Sequence, residues 1–320
     1  MEVKLNKPVV HLKKHKRPFK YYVTRYWQRY LLLLLPLVYL ALFKYVPMYG
    51  VQIAFKKFSF RYGIWDSPWC GLYQFEKFIN SYMFSRVVGN TITLSLYSMI
   101  AGFPLPILFA LALNAMRSKR YRSFVENVTY IPHFISTVVM VGIMVQIFDT
   151  RIGIFAQVYR AIYGEGAKVP VLFNSAAAFP HLYVWSGIWQ GLGWDTVIYT
   201  AALTVVDPEL HEAAMIDGAT RFQRLLHVDL PAIVPTITIT LILRCGKIMG
   251  IGFDKVYLMQ NTMNQRASEV IATYVYKQGL TSNLDYSYST AIDLFNSAIN
   301  LVMICLVNFI SGKVSETSLW

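Results

Sequence analysis

Two cations, Arg244 and Lys247, stand three residues apart in one apolar run, and an acid, Asp195, stands in another. Charged side chains inside a membrane-crossing segment are costly, and they face a bundle interior or an aqueous cavity. On a helix starting at Ala232, with a rise of about 1.5 Å per residue, the two cations would lie roughly 18 and 22 Å along it. Three apart, they would share a face. Two readings fit. One is a cationic stripe along a translocation path, suited to hydroxyls or to acidic, uronate-type sugars. The other is structural pairing with Asp195 or Asp293, with Lys247 able to snorkel outward. Asp195 lies in "WSGIWQGLGWDTVIYTAAL", among Trp185, Trp189, Trp194 and Tyr199. Saccharides are held by stacking of their C–H faces on aromatic rings and by hydrogen bonds to acids and amides. Trp189, Trp194, Asp195, Tyr199, Arg244 and Lys247 are the residues of these runs that could line a path for such a solute. Trp also anchors helices at the membrane interface, which suits Trp185 better than Trp194. Asp293, Asn296 and Asn300 form a polar stripe read as helix–helix hydrogen bonding.

Other chemistries lack their residues. There is no G-x-x-x-x-G-K-[ST] phosphate loop, and "GEGAK" at 164–168 has the wrong spacing. No His/Asp/Ser set reads as catalytic. His133, His181 and His227 lie near the ends of apolar runs and read as structural. Cys70, Cys245 and Cys305 offer neither a metal set nor a disulfide framework. The expectation is a non-catalytic protein with no metal and no cofactor of its own.

The elements that must hold these groups follow from composition. Of 320 residues 55% are hydrophobic and only 15% charged, and the apolar residues are clustered. Six runs, at roughly 30–48, 87–115, 128–148, 182–206, 232–252 and 288–311, could cross a bilayer, which needs about 20 apolar residues as a helix. Lipid offers the backbone no partners, so the spans are helices or a closed barrel, and continuous runs contradict the alternating pattern of a barrel. An all-α membrane protein with six spans is expected. With the N-terminus inside, sixteen Lys/Arg lie in the inner segments against eleven in the longer outer ones. That bias places both termini in the cytoplasm. The net charge of +13 meets anionic lipid more readily than nucleic acid. "LLLLLPLVYLALF" is followed by no small-residue cleavage site and reads as an uncleaved first span.

Residues 1–29 form a basic tail ending in "FKYYVTRYWQRY", suited to an interfacial helix or to a partner-binding arm. Residues 30–312 form the transmembrane domain, and 313–320 a cytoplasmic tail. The outer segments 49–86 and 253–287 carry more aromatic and amide groups than a turn needs, and Trp65, Trp69 and Tyr257 are the candidate docking residues for an outer partner.

The inner segment 207–231 is ordered by composition. Asp207-Pro208-Glu209 is a helix start, with Asp as N-cap and Pro at the first position. Gly218 permits a backbone geometry that other residues resist, and "TRFQRLLHV" leads to Leu230-Pro231, where the next span is expected to begin. Leu210, Ala213, Ala214 and Ile216 form a small apolar face. An interfacial helix resting on lipid and a docking element fit these features equally.

The spacing Glu212-Ala213-Ala214, three residues, Gly218, nine residues, Val228, one residue, Leu230-Pro231 resembles the EAA motif of ABC importer permeases, with Val228 where Ile is usual. "YVPMYGVQIAFKKF", "WCGLYQF", "NTITLSLYS", "LALNAM", "YIPHFISTVV", "FDKVYLMQN" and "TYVYKQGL" resemble the polysaccharide-type branch of sugar-import permeases, so that the likeness runs from about residue 30 to 312. The resemblance implies a type I importer permease fold in a bacterial plasma membrane. It implies a coupling helix at 207–231 docked in a cytosolic ATPase, with Glu212, Ala213, Ala214, Asp217 and Gly218 as the coupling residues. Glu212 would make a polar contact and Gly218 the bend. The implied partners are a second related permease, two ATPase subunits that bind ATP and Mg, a solute-binding protein and an oligosaccharide. A secondary transporter would carry its own coupling-ion site and internal repeats. A membrane enzyme acting on lipid-linked sugar would need converging acids or a metal cluster. Neither pattern is evident.

Overall fold

A computed structural model describes residues 19–282 and 284–314. Most of the expected basic tail and of the expected tail at 313–320 lies outside the described residues. The chain divides into two units, Met1–Gln52 and Ile53–Trp320.

The first unit is built on α1, Phe19–Leu40, which continues through a wide π turn, Ala41–Tyr45, into Val46–Met48. At Tyr26 the backbone leaves helical geometry (φ −117°, ψ 21°), so a kink separates the aromatic and basic start of α1 from its apolar body. The guanidinium of Arg29 sits 4.8 Å from the centre of the Tyr26 ring, which suits the interfacial reading of this piece. The apolar body is exposed on all sides, Leu32 at 78% and Leu35 at 77%. A helix apolar all round has lipid or another apolar surface as its solvent.

The second unit is helical, and its one bridge outside helices pairs Lys56 with Trp69 among the described residues. Its main elements are α2 (Phe84–Gly102), α3 (Pro104–Asn114), α4 (Lys119–Tyr130), α5 (Thr137–Ile147), α6 (Phe179–Leu203), α7 (Pro208–Ile216), α8 (Leu230–Cys245), α9 (Phe253–Met259) and α10 (Tyr286–Val314). Four helices among the described residues are long and apolar enough to cross a membrane: Tyr21–Phe55, Phe84–Asn114, Arg221–Cys245 and Tyr286–Lys313. A bent pair, Lys119–Phe134 and Thr137–Ile147, makes up to five.

Two expected spans are redrawn. The run at 128–148 is no straight helix, because the chain turns by 97° between Phe134 and Thr137. Pro132 lacks an N–H, and Ser136 starts a new helix by accepting the Val139 N–H at 3.3 Å. The eleven residues of α5 reach about 16 Å, too short to cross alone. The run at 182–206 matches α6, which is long enough but is not one of those four helices. It is the central helix, packed on α2, α3, α4 and α8, and it carries polar groups inward. Gln190 donates to the Ile135 carbonyl at the α4–α5 bend, at 2.7 Å.

The segments at 49–86 and 253–287, expected on the outer side, are folded caps. Lys57 N–H donates to Pro68 O and Cys70 N–H to Phe55 O, each at 2.8 Å. The Lys56 ammonium donates to the carbonyls of Ile64 (2.7 Å) and Trp65 (2.9 Å). In 253–282 the buried Asn264 donates to Met259 O at 2.9 Å and Phe173 O at 3.2 Å, and the buried Glu269 pairs with Lys277 at 2.9 Å. Much of the amide content expected to face a partner is thus spent internally.

Candidate functional site

Two contacts one turn apart join α6 to α8. The Tyr199 hydroxyl shares a hydrogen bond with Thr240 Oγ1 at 2.9 Å, and Arg244 Nη2 donates to Asp195 Oδ2 at 2.5 Å. Each helix contributes residues four apart, which lie on one face. Around the ion pair open two cavities, of about 250 and 440 Å³, both lined by Ser98, Tyr183, Asp195 and Arg244. Lys255 lines the smaller and Lys247 the larger.

Arg244 and Lys247 do not share the helical face expected of them. The helix ends at Cys245, and Gly246–Met249 form turns, closed by Lys247 N–H to Arg244 O (3.0 Å) and Gly250 N–H to Lys247 O (2.8 Å). The Met249 N–H, released from the helix, donates to Asn300 Oδ1 at 2.9 Å, so Asn300 serves packing. Arg244 takes Asp195, not Asp293, as its partner.

Of the candidate path residues, Asp195, Arg244 and Lys247 come together at the cavities. The aromatics do not line them. Trp194 stacks on His133 at 4.5 Å with the planes 3° apart. Trp189 lines a separate apolar recess with Met140, Met144 and Trp185. Tyr199 is buried at the helix contact. Neighbours in sequence lie about 100° apart around a helix, so nearness to Asp195 in the chain does not place a ring on its face.

Ser98, Tyr183, Gln190 and Lys255 line the smaller cavity, and sequence reasoning did not select them. Lys255 stands on α9, in "FDKVYLMQN", and only the fold carries it to the cavity wall. Its ammonium donates to the Tyr183 carbonyl at 2.7 Å and lies 4.7 Å from the Tyr183 ring centre. Burial pushes its pKa down to about 8.

The inner element is built as its sequence dictates. Asp207 Oδ1 accepts the Glu209 N–H at 2.9 Å and starts α7. Gly218 takes a left-handed φ of +76° and ends the helix with Ala219 N–H donating to Ala214 O at 2.9 Å. Thr220 and Gln223 then cap the next helix reciprocally. No residue of α7 is buried, and Leu210 (55%) and Ile216 (87%) stay exposed. Glu212, Ala213, Asp217 and Gly218 are likewise exposed and Ala214 is half-buried. Ala214, Asp217 and Gly218 border a cleft of about 290 Å³.

The expected break at Leu230-Pro231 is absent. Arg221–Cys245 is one helical run of 25 residues. A wide π turn, Leu225–Asp229, absorbs Pro231 by letting Leu230 N–H bond Leu225 O. In this turn the buried Asp229 accepts Asn114 Nδ2 at 3.1 Å and faces His211 Nε2 at 3.3 Å. One carboxylate thus ties the inner end of α3 to α7. Asp229→Ala is expected to cost about 1.5–3 kcal/mol of stability, the usual loss for a hydrogen bond to a charged group. A lower melting temperature in detergent would register it, and unchanged melting would show that the latch carries no load.

Of the candidate docking residues, Trp65 and Trp69 are 72% and 67% exposed, with Lys56 Nζ lying 4.8 Å from the Trp69 ring centre. Tyr257 is partly committed to a cluster with Phe253 (5.0 Å) and Tyr276 (5.2 Å).

Apolar helices around a charged cavity, with an uncovered helix hinged to one of them, define a helical transport subunit of a membrane. The chain belongs to the family of binding-protein-dependent transport system inner membrane components, whose model matches residues 102–316. It is 39% identical over 291 residues to Protein LplB of Bacillus subtilis (strain 168), covering 91% of this chain and 90% of that protein. It is 38% identical to the polygalacturonan/rhamnogalacturonan transport system permease protein YteP of the same organism, covering 91% and 89%. A chain in the crystal structure of a bacterial ABC transporter involved in the import of the acidic polysaccharide alginate matches with a TM-score of 0.83 and 35% identity, covering 92% of this chain and 98% of that one. The family, YteP and the alginate transporter are all named for transport, which sets the chain among permeases of the bacterial plasma membrane and apart from enzymes.

Proposed function

We propose that this chain is the pore-lining permease of an ATP-driven ABC importer that passes acidic oligosaccharide from an extracytoplasmic binding protein to the cytoplasm. It spans the membrane six times, with α6 as one span and both termini inside. It pairs with a second, related permease on two ATPase subunits, which bind the ATP and Mg. One rod supports this reading: the run Arg221–Cys245 begins three residues after the Gly218 hinge and carries Arg244 at the cavity near its far end. A push received on α7 can therefore reach the cavity as rigid motion over roughly 37 Å. Asp229 would carry the same push to α3. The acidic cargo rests on the cations around the cavity and on the kinship with polygalacturonan and alginate importers.

The test is reconstitution. This chain, its related permease, the ATPase and the binding protein in proteoliposomes should show ATPase activity stimulated by the saccharide-loaded binding protein, together with uptake. A chain that purifies free of the ATPase and transports alone would overturn the importer reading.

The outer aromatics would form part of the dock for the binding protein. Trp65→Ala, Trp69→Ala and Tyr257→Ala together are expected to weaken docking about tenfold or more, since buried Trp and Tyr carry much of an interface's energy. Basal ATPase activity should stand. A normal docking affinity in the folded triple variant would remove the assignment.

A further inference from the structure

The cavities around the ion pair carry four charged side chains, Asp195, Arg244, Lys247 and Lys255. They are not equally available to a carboxylate. Arg244 already holds Asp195 at 2.5 Å, so that pair is neutral as a unit. Lys247 is exposed, on a turn beyond the end of α8. Lys255 differs from both. Its ammonium has three hydrogens to donate, yet among the described residues its hydrogen-bond acceptor is the Tyr183 carbonyl alone, at 2.7 Å, and it joins no ion pair. The Tyr183 ring, 4.7 Å away, gives it a weak electrostatic partner and no countercharge. A partly desolvated ammonium without a carboxylate is costly, and buried charges are ordinarily paired.

The room for this ammonium is also built in. A Cβ added at Gly187 of α6 would stand 3.0 Å from Lys255 Nζ. Gly187 therefore leaves open the space that the lysine head occupies at the cavity wall. Ser98 and Gln190 line the same cavity and can serve sugar hydroxyls. The site has one cation without a countercharge, a rigid carbonyl holding it, and neutral polar groups around it.

We propose that Lys255 is the carboxylate-recognising residue of the translocation cavity, supplying the ammonium that pairs with a uronate of the passing saccharide while Arg244 stays bound to Asp195. This rests on the importer reading and assigns acid selectivity within it to a residue on an outer segment. The role is electrostatic pairing at a wall, with no covalent step.

The experiment uses the full reconstituted complex and compares uptake of a polyuronate oligosaccharide with that of a neutral oligosaccharide of equal length. Lys255→Gln is expected to reduce the ratio of uronate to neutral uptake about tenfold, the order one charge-assisted hydrogen bond contributes. Lys255→Arg should keep most of the preference. Gly187→Ala, which moves the ammonium without removing its charge, should give a smaller loss of preference and keeps the test valid where the Gln variant folds poorly. An unchanged preference in Lys255→Gln and Gly187→Ala, with wild-type complex importing the uronate, would overturn the Lys255 assignment alone. A wild-type complex that rejects the uronate would instead overturn the acidic cargo and this assignment with it.

Discussion

Gly218→Leu and Glu212→Ala are each expected to lower transport and stimulated ATPase activity about tenfold or more, with expression and binding-protein docking nearly intact. The two act by different routes. Gly218 holds φ at +76°, which costs an L-residue roughly 1–2 kcal/mol. A Cβ at that position meets nothing within 4 Å, so the penalty comes from the backbone and not from a clash. Asn at 218 should then be milder than Ala, and Ala milder than a β-branched residue, because Asn visits the left-handed region most readily. Relief of the strain would turn α7 away from the rod that follows it. Glu212 lies on the exposed helix and its side chain makes no hydrogen bond or ion pair among the described residues, so its loss should leave the fold alone and remove a contact to the ATPase. Full transport in both variants would end the coupling assignment.

The second large effect is expected at the ion pair. Arg244→Gln and Asp195→Asn should each lower yield and melting temperature and impair every substrate alike. Removing one partner of a buried pair costs about 3–5 kcal/mol because the other charge is stranded. Here the side chains are 35% and 40% exposed to the cavity, and solvent there will screen much of that, leaving about 1–2 kcal/mol. The double variant Arg244→Gln/Asp195→Asn strands no charge, so it should be more stable than the sum of the single losses allows. A double-mutant cycle measures this. Stability unchanged in Arg244→Gln, with uptake of acidic cargo alone impaired, would return the arginine to selectivity and deny it the structural role.

These two sites were legible in the sequence to different depths. The inner element was nearly complete there, because its signals are local: Asp207-Pro208 as a start, Gly218 as a stop, and a spacing that fits a known motif. Its error was local too, since Leu230-Pro231 reads as a boundary and the π turn that lets the helix run through it has no simple signature. The cavity was legible only in part. Arg244 and Asp195 stood out as charges in apolar runs, and one of the two readings offered for them is what the fold builds. Hydropathy does not register where a helix ends inside a protein wall, so it carries the helix on past Lys247. Gly246 and Gly250 were the available signals, and irregular backbone is tolerated at depth where protein or water satisfies it. Lys255 was invisible because its setting comes from residues 72 and 68 positions away, Tyr183 and Gly187. The rings near Asp195 were grouped by chain order, whereas the helix distributes them around its circumference.

The π turn at Leu225–Asp229 is equivalent to one additional residue carried within the run Arg221–Cys245. Removing a single residue there would restore a regular helix and leave the stretch beyond it nearly in phase, because the wide turn absorbs the extra residue. A deletion elsewhere in the run has no such turn to absorb it and would rotate everything beyond it by about 100° relative to the hinge. Asp195 would then face a different side of α8, although every side chain needed for the pair would still be present. The stretch from Gly218 to Arg244 is thus a ruler whose length matters more than its composition. Substitutions along its lipid-facing side should be tolerated widely, and insertions or deletions outside the wide turn hardly at all.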